Sequence, residues 1–469
     1  MSLAERIETL HSLVRLIVEA SGVVVQEWQA AAMDSPGTDP ATSLLPSLAL
    51  YDARRTVLGA CGMLSDTVAE PQQRLMEIAL GYYVPRALHV AAEGHIADIL
   101  AVADPAEGMH IQTIAHKASV EQQKLARVLR ALCSIHVFKE VSEDHYVNTW
   151  TSQAMAGNDP LRCWLLSHGL NPYIASGSLL KVLFGSARPA INPATAFNEA
   201  AGTNLSYWEF LEQEIEQPDG TVLPRRELEI FGLAMLGSGR VTAPPLHADY
   251  PWAELGSGTV VDVGGGVGGM CLELAKKYPN LKLVLQDRQS VIEKARVMWL
   301  QQLPEAVGSQ RITFMEHNFF EEQSVRGAAV YFMSQILHDW PDNTSCTILQ
   351  RLHGAMGAQS RILVADIKVH AARGSKYFKA APSPLPANYG YAHQLAHHMD
   401  LNMMTLFDAK ERSPEDIAEL ASRASLRVAR VWECRGIMSI TELRRLEDSV
   451  GLSRKQCVVD PSVQGSRTQ

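Results

Sequence analysis

The chain has 469 residues, 46% hydrophobic and 20% charged, which is enough for two or three domains with sizeable cores. Its net charge of -9 and the lack of any basic run argue against life on nucleic acid, since phosphate contacts need clustered Lys and Arg. Seven scattered cysteines form no Cys-x-x-Cys pair, so neither a zinc framework nor a disulfide framework is expected, and free thiols fit a reducing, cytoplasmic setting.

The first twenty residues hold no apolar stretch long enough for a signal peptide or a membrane span. Ile7, Leu10, Val14, Ile17 and Ala20 recur at helical spacing, which predicts a surface helix with one face to bury, in the chain itself or in a partner subunit. Residues 33–46 are rich in Pro, Ser, Thr and Gly and read as a loop. Helical patterns run through residues 75–100. A short helix, a turn, a longer helix and a hairpin tipped by Ser142, Glu143 and Asp144 then follow in the order of a winged helix. Its longer helix carries only Lys124, Arg127 and Arg130, with Glu121 beside them, so a scaffold or dimerisation role is favoured over DNA binding. Onward to about residue 250 the pattern is mostly helical. Trp164, Tyr173, Trp208 and Phe210 are candidates to line an apolar pocket there, although core packing is the commoner role for each.

From Thr259 the pattern changes. TVVDVGG, LKLVLQD, ITFMEH, AAVYFMS and RILVADIKV read as strands separated by helices such as MCLELAKKY and VIEKARVMWLQQL. Alternating strands and helices predict a mostly parallel sheet covered on both faces. The last run, LRVARVWECRGIMSITEL, reads as two adjacent strands that end the sheet in an antiparallel pair.

Residues 260–269 read VVDVGGGVGG, a strand leading through glycines into a helix. Glycine permits the tight turn and the close approach of a ligand, and the helix N-terminus offers free N–H groups. Gly264, Gly266 and Gly269 match the spacing of a dinucleotide fingerprint, which is weak alone. Asp262 stands just before the glycines, where a carboxylate suits a cationic ligand such as S-adenosylmethionine better than a pyrophosphate. Asp287 closes the next strand, where a carboxylate accepts ribose hydroxyls in nucleotide binders generally.

The segment QILHDWPD, residues 335–342, follows the fourth strand directly, at the sheet edge where open α/β folds bind ligands. It places His338 and Asp339 above the glycine loop. A histidine there suits removal of a proton from a hydroxyl that attacks a methyl carbon. Such a base needs a carboxylate to orient it, and Asp366 and Glu411 are both candidates. Residues 374–400 form a long, Pro-rich, aromatic insertion that reads as a substrate entrance or a surface loop. His393, His397 and His398 within it lack the acidic or Cys partners of a metal site, and no metal is expected.

Taken in order and spacing, VVDVGGGVGG, LVLQD, HNFF, ILHDWPD and FDAKERSPED resemble the plant caffeate and flavonoid O-methyltransferases, and more closely the fungal polyketide O-methyltransferases of the sterigmatocystin type. The resemblance covers most of the chain. It implies an α/β fold, a Rossmann-like class I methyltransferase sheet behind an N-terminal, mostly helical winged-helix dimerisation domain. It implies S-adenosylmethionine as cofactor and a homodimer whose N-terminal helices help form the interface. It also implies His338 as base flanked by Asp366 and Glu411, and Asp287 on the ribose, with Gly264, Gly265 and Gly266 forming the cofactor loop. Where the family has an acidic residue at the adenine this chain has Asn318, followed by Phe319. Where the plant enzymes have a lysine before the base it has Ser334, and where the family has Gly-Gly it has Asp408 and Ala409. These departures bear on cofactor affinity and leave the base and its partners in place.

The expected organisation is a helical arm (1–70), a winged-helix-like dimerisation domain (71–155), a helical linker and pocket region (156–250), the cofactor-binding domain (251–445) and a poorly ordered tail (446–469). The expected activity is methylation of a small-molecule hydroxyl. The alternative is a pericyclic or dehydration reaction on the same fold, with S-adenosylmethionine bound but not consumed. A non-catalytic winged-helix regulator has little support, given the full set of site residues.

Overall fold

The computed structural model describes residues 2–34, 45–185 and 195–446, so the tail expected from residue 446 lies outside the described residues beyond Leu446. The first helix, Leu3–Asp34, runs two residues into the segment read as a loop. It packs along a second helix, Leu48–Val68, which is N-capped by the Ser47 hydroxyl accepting the Leu50 N–H. The face buried within the chain shares Ile17 and Ala20 with the expected stripe. Leu13 and Ala20 are buried, with Leu16 and Ile17 packed beside them, whereas Ile7 and Val14 are each 47% exposed. Leu13, Leu16, Ile17 and Ala20 also follow the i, i+3, i+4, i+7 template, so periodicity alone allows two stripes and packing selects one.

The second helix seats this arm on the insertion. A Cβ at Gly59 would lie 2.4 Å from the Tyr389 carbonyl oxygen, and one at Gly62 would lie 2.4 Å from Tyr391 Cβ, so only glycine permits the approach. Arg55 pairs with Glu433 and Lys379 with Asp52, both at 2.7 Å, while Lys368 donates to the Tyr51 hydroxyl at 2.6 Å. Residues 374–400 thus form a socket for the arm, with Leu385 and Tyr389 packed on Leu13 and Ala60. The end of the insertion belongs to a helix, Gln394–Phe407.

The winged-helix part consists of β1 (Met109–His110), helices Ile111–Ala118 and Gln122–Cys133, and the hairpin of β2 (Phe138–Ser142) with β3 (His145–Asn148), in sheet order β1-β3-β2. Ile111, Ile114, Leu125, Leu129, Leu132, Phe138 and Tyr146 fill its core. Next comes a helical region ending in Arg226–Asp249. It contains one hairpin, β4 (Glu214–Glu216) with β5 (Val222–Pro224), that its helical pattern does not suggest. The four aromatics singled out there pack within the protein. Trp208 stacks on Phe407, Phe210 meets Phe197 and lies under Arg225, Trp164 packs on His168, and Tyr173 lies under Arg86 and donates to the Tyr82 carbonyl.

The main sheet has seven strands: β6 (Thr259–Val263), β7 (Lys282–Asp287), β8 (Ile312–Glu316), β9 (Val330–Ser334), β10 (Arg361–Ile367), β11 (Leu426–Trp432) and β12 (Met438–Arg445). Their order is β11-β12-β10-β9-β6-β7-β8. All neighbours are parallel except β12, which is antiparallel to both β10 and β11. Alternate residues feed two cores: Val260 and Phe332 on one face with Trp252 and Trp299, and Val261, Tyr331 and Met333 on the other with Ile348 and Leu420. The order reverses between β6 and β9, which opens a crevice beyond their carboxyl ends. Among the described residues no helix is long and apolar enough to cross a membrane, and no group of three or more His, Cys, Asp or Glu is arranged to hold a metal ion.

Candidate active site

Two loops meet at that crevice, one after β6 and one after β9. In the first, Gly264, Gly266 and Gly268 have φ of 69°, 60° and 81°, values that disfavour side chains. A Cβ on Gly265 would lie 2.5 Å from both Asp262 Cγ and Leu285 Cδ1, so this glycine is required by packing. At Gly266 a Cβ would meet nothing within 4 Å, so the loop presents bare backbone to open space. The Gly266 N–H donates to Asp287 Oδ2 at 2.8 Å, and the Arg288 N–H donates to Oδ1 at 2.7 Å. The second strand end therefore braces the glycine turn. Asp262 is buried beneath it, and its Oδ2 has no hydrogen-bond partner. Burial pushes the Asp262 carboxyl up to about 7, against a Cys271 hydrogen bond that lowers it.

In the second loop, Gln335 adopts φ of 54° and a short 3-10 turn, Leu337–Asp339, carries the histidine. His338 is buried, and its Nδ1 lies 2.8 Å from Glu411 Oε1. A carboxylate only accepts, so Nδ1 carries the proton and Nε2 remains for other chemistry. Asp339 Oδ1 lies 3.5 Å from Nε2. Asp366 accepts the Gln335 N–H at 3.1 Å, while its second oxygen is buried without a partner. Of the two carboxylates weighed as orienters, Glu411 grips the ring and Asp366 holds the backbone leading to it. Burial works against a charge on His338, yet Glu411 and Asp339 outweigh it and push the imidazole up to about 10. Burial likewise lifts Asp339 and Asp366 to about 6 each, opposed by His338.

An O-methyltransferase domain model matches residues 254–427, and an O-methyltransferase dimerisation domain model matches residues 76–158. The O-methyltransferase gedA of Aspergillus terreus is 36% identical, over 95% of this chain and 98% of its own. The chain belongs to the O-methyltransferase family. Among solved structures, the calicheamicin-biosynthesis methyltransferase CalO1 in its S-adenosylhomocysteine-bound form is 26% identical with a TM-score of 0.61, over 80% of this chain and 98% of that one. LepI in complex with S-adenosylmethionine has a TM-score of 0.68 at 22% identity, over 91% of this chain and 98% of that one, a likeness of fold.

The protein is therefore an S-adenosylmethionine-dependent O-methyltransferase, and its crevice fits that cofactor. Open space over Gly266 leaves room for a ligand against the backbone, and the unpartnered Asp262 oxygen suits a cationic one. Phe319 borders the same loop, 3.6 Å from where a Gly264 Cβ would stand, and packs on Phe320 and Trp340. Asn318 is turned into its own loop, where its Oδ1 accepts the Phe320 N–H. Ser334 ends β9 opposite Ala365 of β10. Four residues not singled out from the sequence also stand around His338 and Glu411. Arg412, Asp342 and Ser345 brace the His338 turn, and Asp400 accepts the Glu411 N–H at 2.9 Å. The one local signal for Arg412 was its place beside Glu411. His393 stacks edge-on with His370 and His397.

Proposed function

We propose that the methyltransferase moves a methyl group to a phenolic or enolic hydroxyl of a small secondary metabolite, such as a polyketide, with His338 as general base. The observation that carries this is the buried 2.8 Å contact between His338 Nδ1 and Glu411, on the same sheet edge as the glycine loop. When bound, S-adenosylmethionine supplies an electrophilic methyl group on a sulfonium centre, and its positive charge disfavours a second cation at His338. His338 Nε2 takes the hydroxyl proton, while Glu411 fixes the tautomer and stabilises the imidazolium. Against the effect of burial, Glu411 and Asp339 raise the imidazole, which strengthens it as an acceptor for the hydroxyl proton. Asp339 stands by Nε2 to accept its proton as a hydrogen bond, and Asp366 keeps the turn in place. Gly264, Gly265 and Gly266 cradle the cofactor, Asp287 takes the ribose hydroxyls, Asp262 faces the cationic end, and Asn318, Phe319 and Ser334 complete the wall.

The active form in this reading is a homodimer. Helix Pro71–Leu80 buries none of its residues, and Leu75, Met76, Ile78 and Leu80 are each 57% or more exposed, an apolar face suited to a second subunit. The test of the activity is the S-adenosylhomocysteine released per product formed with a panel of phenols. A ratio near one supports methyl transfer. Product without S-adenosylhomocysteine overturns it in favour of a pericyclic or dehydration reaction.

A further inference from the structure

The tripeptide Lys410-Glu411-Arg412 holds the His338 turn through all three side chains, and Arg412 does so from the main-chain side. Its side chain is 1% exposed. Nη1 donates to the Leu337 carbonyl and Nη2 to the Trp340 carbonyl at 2.7 Å, the two carbonyls that bracket His338 and Asp339. Nε and Nη2 also reach Asp342 Oδ1, at 3.2 and 2.8 Å, just beyond the turn. Lys410 lies 3.3 Å from the other Asp342 oxygen. The Ser345 hydroxyl faces the same two carbonyls, at 3.2 and 3.0 Å. Glu411 meanwhile holds the ring, and its own N–H is held by Asp400. One peptide unit therefore fixes both the imidazole and the backbone that bears it.

We propose that Arg412 is a positioning residue for the reaction, setting the His338 ring against Glu411 by clamping the carbonyls on either side of it. This rests on the reading of His338 as base. A planar fork with five N–H donors suits the task, because it reaches two carbonyls and a carboxylate at once, which the point charge of a lysine cannot do. A displacement of the base by about 1 Å costs on the order of a hundredfold in rate.

The test compares R412K, R412M, H338A and the double variant H338A/R412M. Each is read by calorimetric affinity for S-adenosylmethionine, by kcat and KM for one phenolic acceptor, and by the pH dependence of kcat/KM. R412K and R412M should bind the cofactor within about twofold of native and lose at least roughly tenfold in kcat, with the acceptor KM little changed. The alkaline rise of kcat/KM should also move in R412K, because the His338–Glu411 contact sets the base's affinity for its proton. In the H338A background R412M should cost less than about twofold, since effects that act through one group do not multiply. Native kcat in R412M overturns the proposal, and so does an R412M loss that multiplies fully onto H338A. If R412M does not fold, R412K carries the same tests, and an unshifted pH profile there is the refuting result. Native turnover in H338A alone would instead remove the base itself, an outcome distinct from a dispensable clamp.

Discussion

Replacing Asp262 by asparagine should make the unliganded protein more stable, and only above mildly acidic pH. The carboxyl has an ordinary value of 3.8 and stands at about 7 in the fold, because burial outweighs the Cys271 hydrogen bond. Below pH 3.8 it is protonated in both the folded and the unfolded chain, and its contribution to stability is fully present. Between 3.8 and about 7 the unfolded chain ionises and the folded one does not, so stability is lost as pH rises and levels off above 7. At about 1.4 kcal/mol per pH unit, the loss is on the order of 4 kcal/mol by pH 8, which corresponds to roughly 10 °C for a domain of this size. Asp339 and Asp366, raised to about 6, slope the native curve the same way, so the informative quantity is the native–variant difference. Thermal denaturation of native and D262N protein from pH 4 to 9 measures it. The difference should be small at pH 4 and should grow in the variant's favour up to about pH 7. S-adenosylmethionine at pH 8 should then stabilise the native protein more than the variant, because only the native chain offers a carboxylate to a cation. A difference that does not change with pH, or a variant less stable than native at pH 8, would refute the argument.

His338→Ala should lose at least roughly a hundredfold in turnover with little change in cofactor affinity, and alkaline pH should restore part of the rate through the solution phenolate. In the native enzyme kcat/KM should climb as pH rises from 7 toward 10, because the neutral imidazole is the active form, whereas Glu411→Gln removes the anion that holds the proton and should bring the rise to lower pH. A pH profile that E411Q leaves unmoved would sever Glu411 from the base. Gly266→Val closes the open space over the loop and Asp287→Ala frees the Gly266 N–H, so both should weaken S-adenosylmethionine binding by calorimetry. Undiminished affinity in both would displace the cofactor site. A chain beginning at residue 71 uncovers Leu385 and Tyr389 where the arm had packed, and light scattering should find aggregates or monomers. A well-behaved dimer would take the arm out of the interface.

Contiguous patterns were legible without coordinates. VVDVGGGVGG and ILHDWPD are local strings whose conformation follows from glycine, from the strand that precedes them and from the rule that α/β sheets bind ligands at their carboxyl ends. The seven strands were legible too: the central ones are buried and read as apolar runs, and β8 and β11 at the edges keep an alternating apolar pattern. Other features depend on partners distant in sequence. Glu411 is 73 residues from His338, and the sequence alone left it level with Asp366 as the ring's orienter until the fold put its oxygen 2.8 Å from Nδ1. Nothing in the sequence singled out Arg412, whose 1% exposure and two carbonyl acceptors place it under the turn. The first helix carries two overlapping apolar stripes that share Ile17 and Ala20, and the glycines of the second helix, pressed on Tyr389 and Tyr391, belong to the docking that buries Leu13 with them. The sequence by itself determined the seven strands of the main sheet, the glycine turn and the place of His338 beside it, since each is encoded within a few neighbouring residues. Only the tertiary structure decided which carboxylate, which guanidinium and which helix face meet there, because a buried polar atom takes its partner from whatever packing brings within about 3 Å.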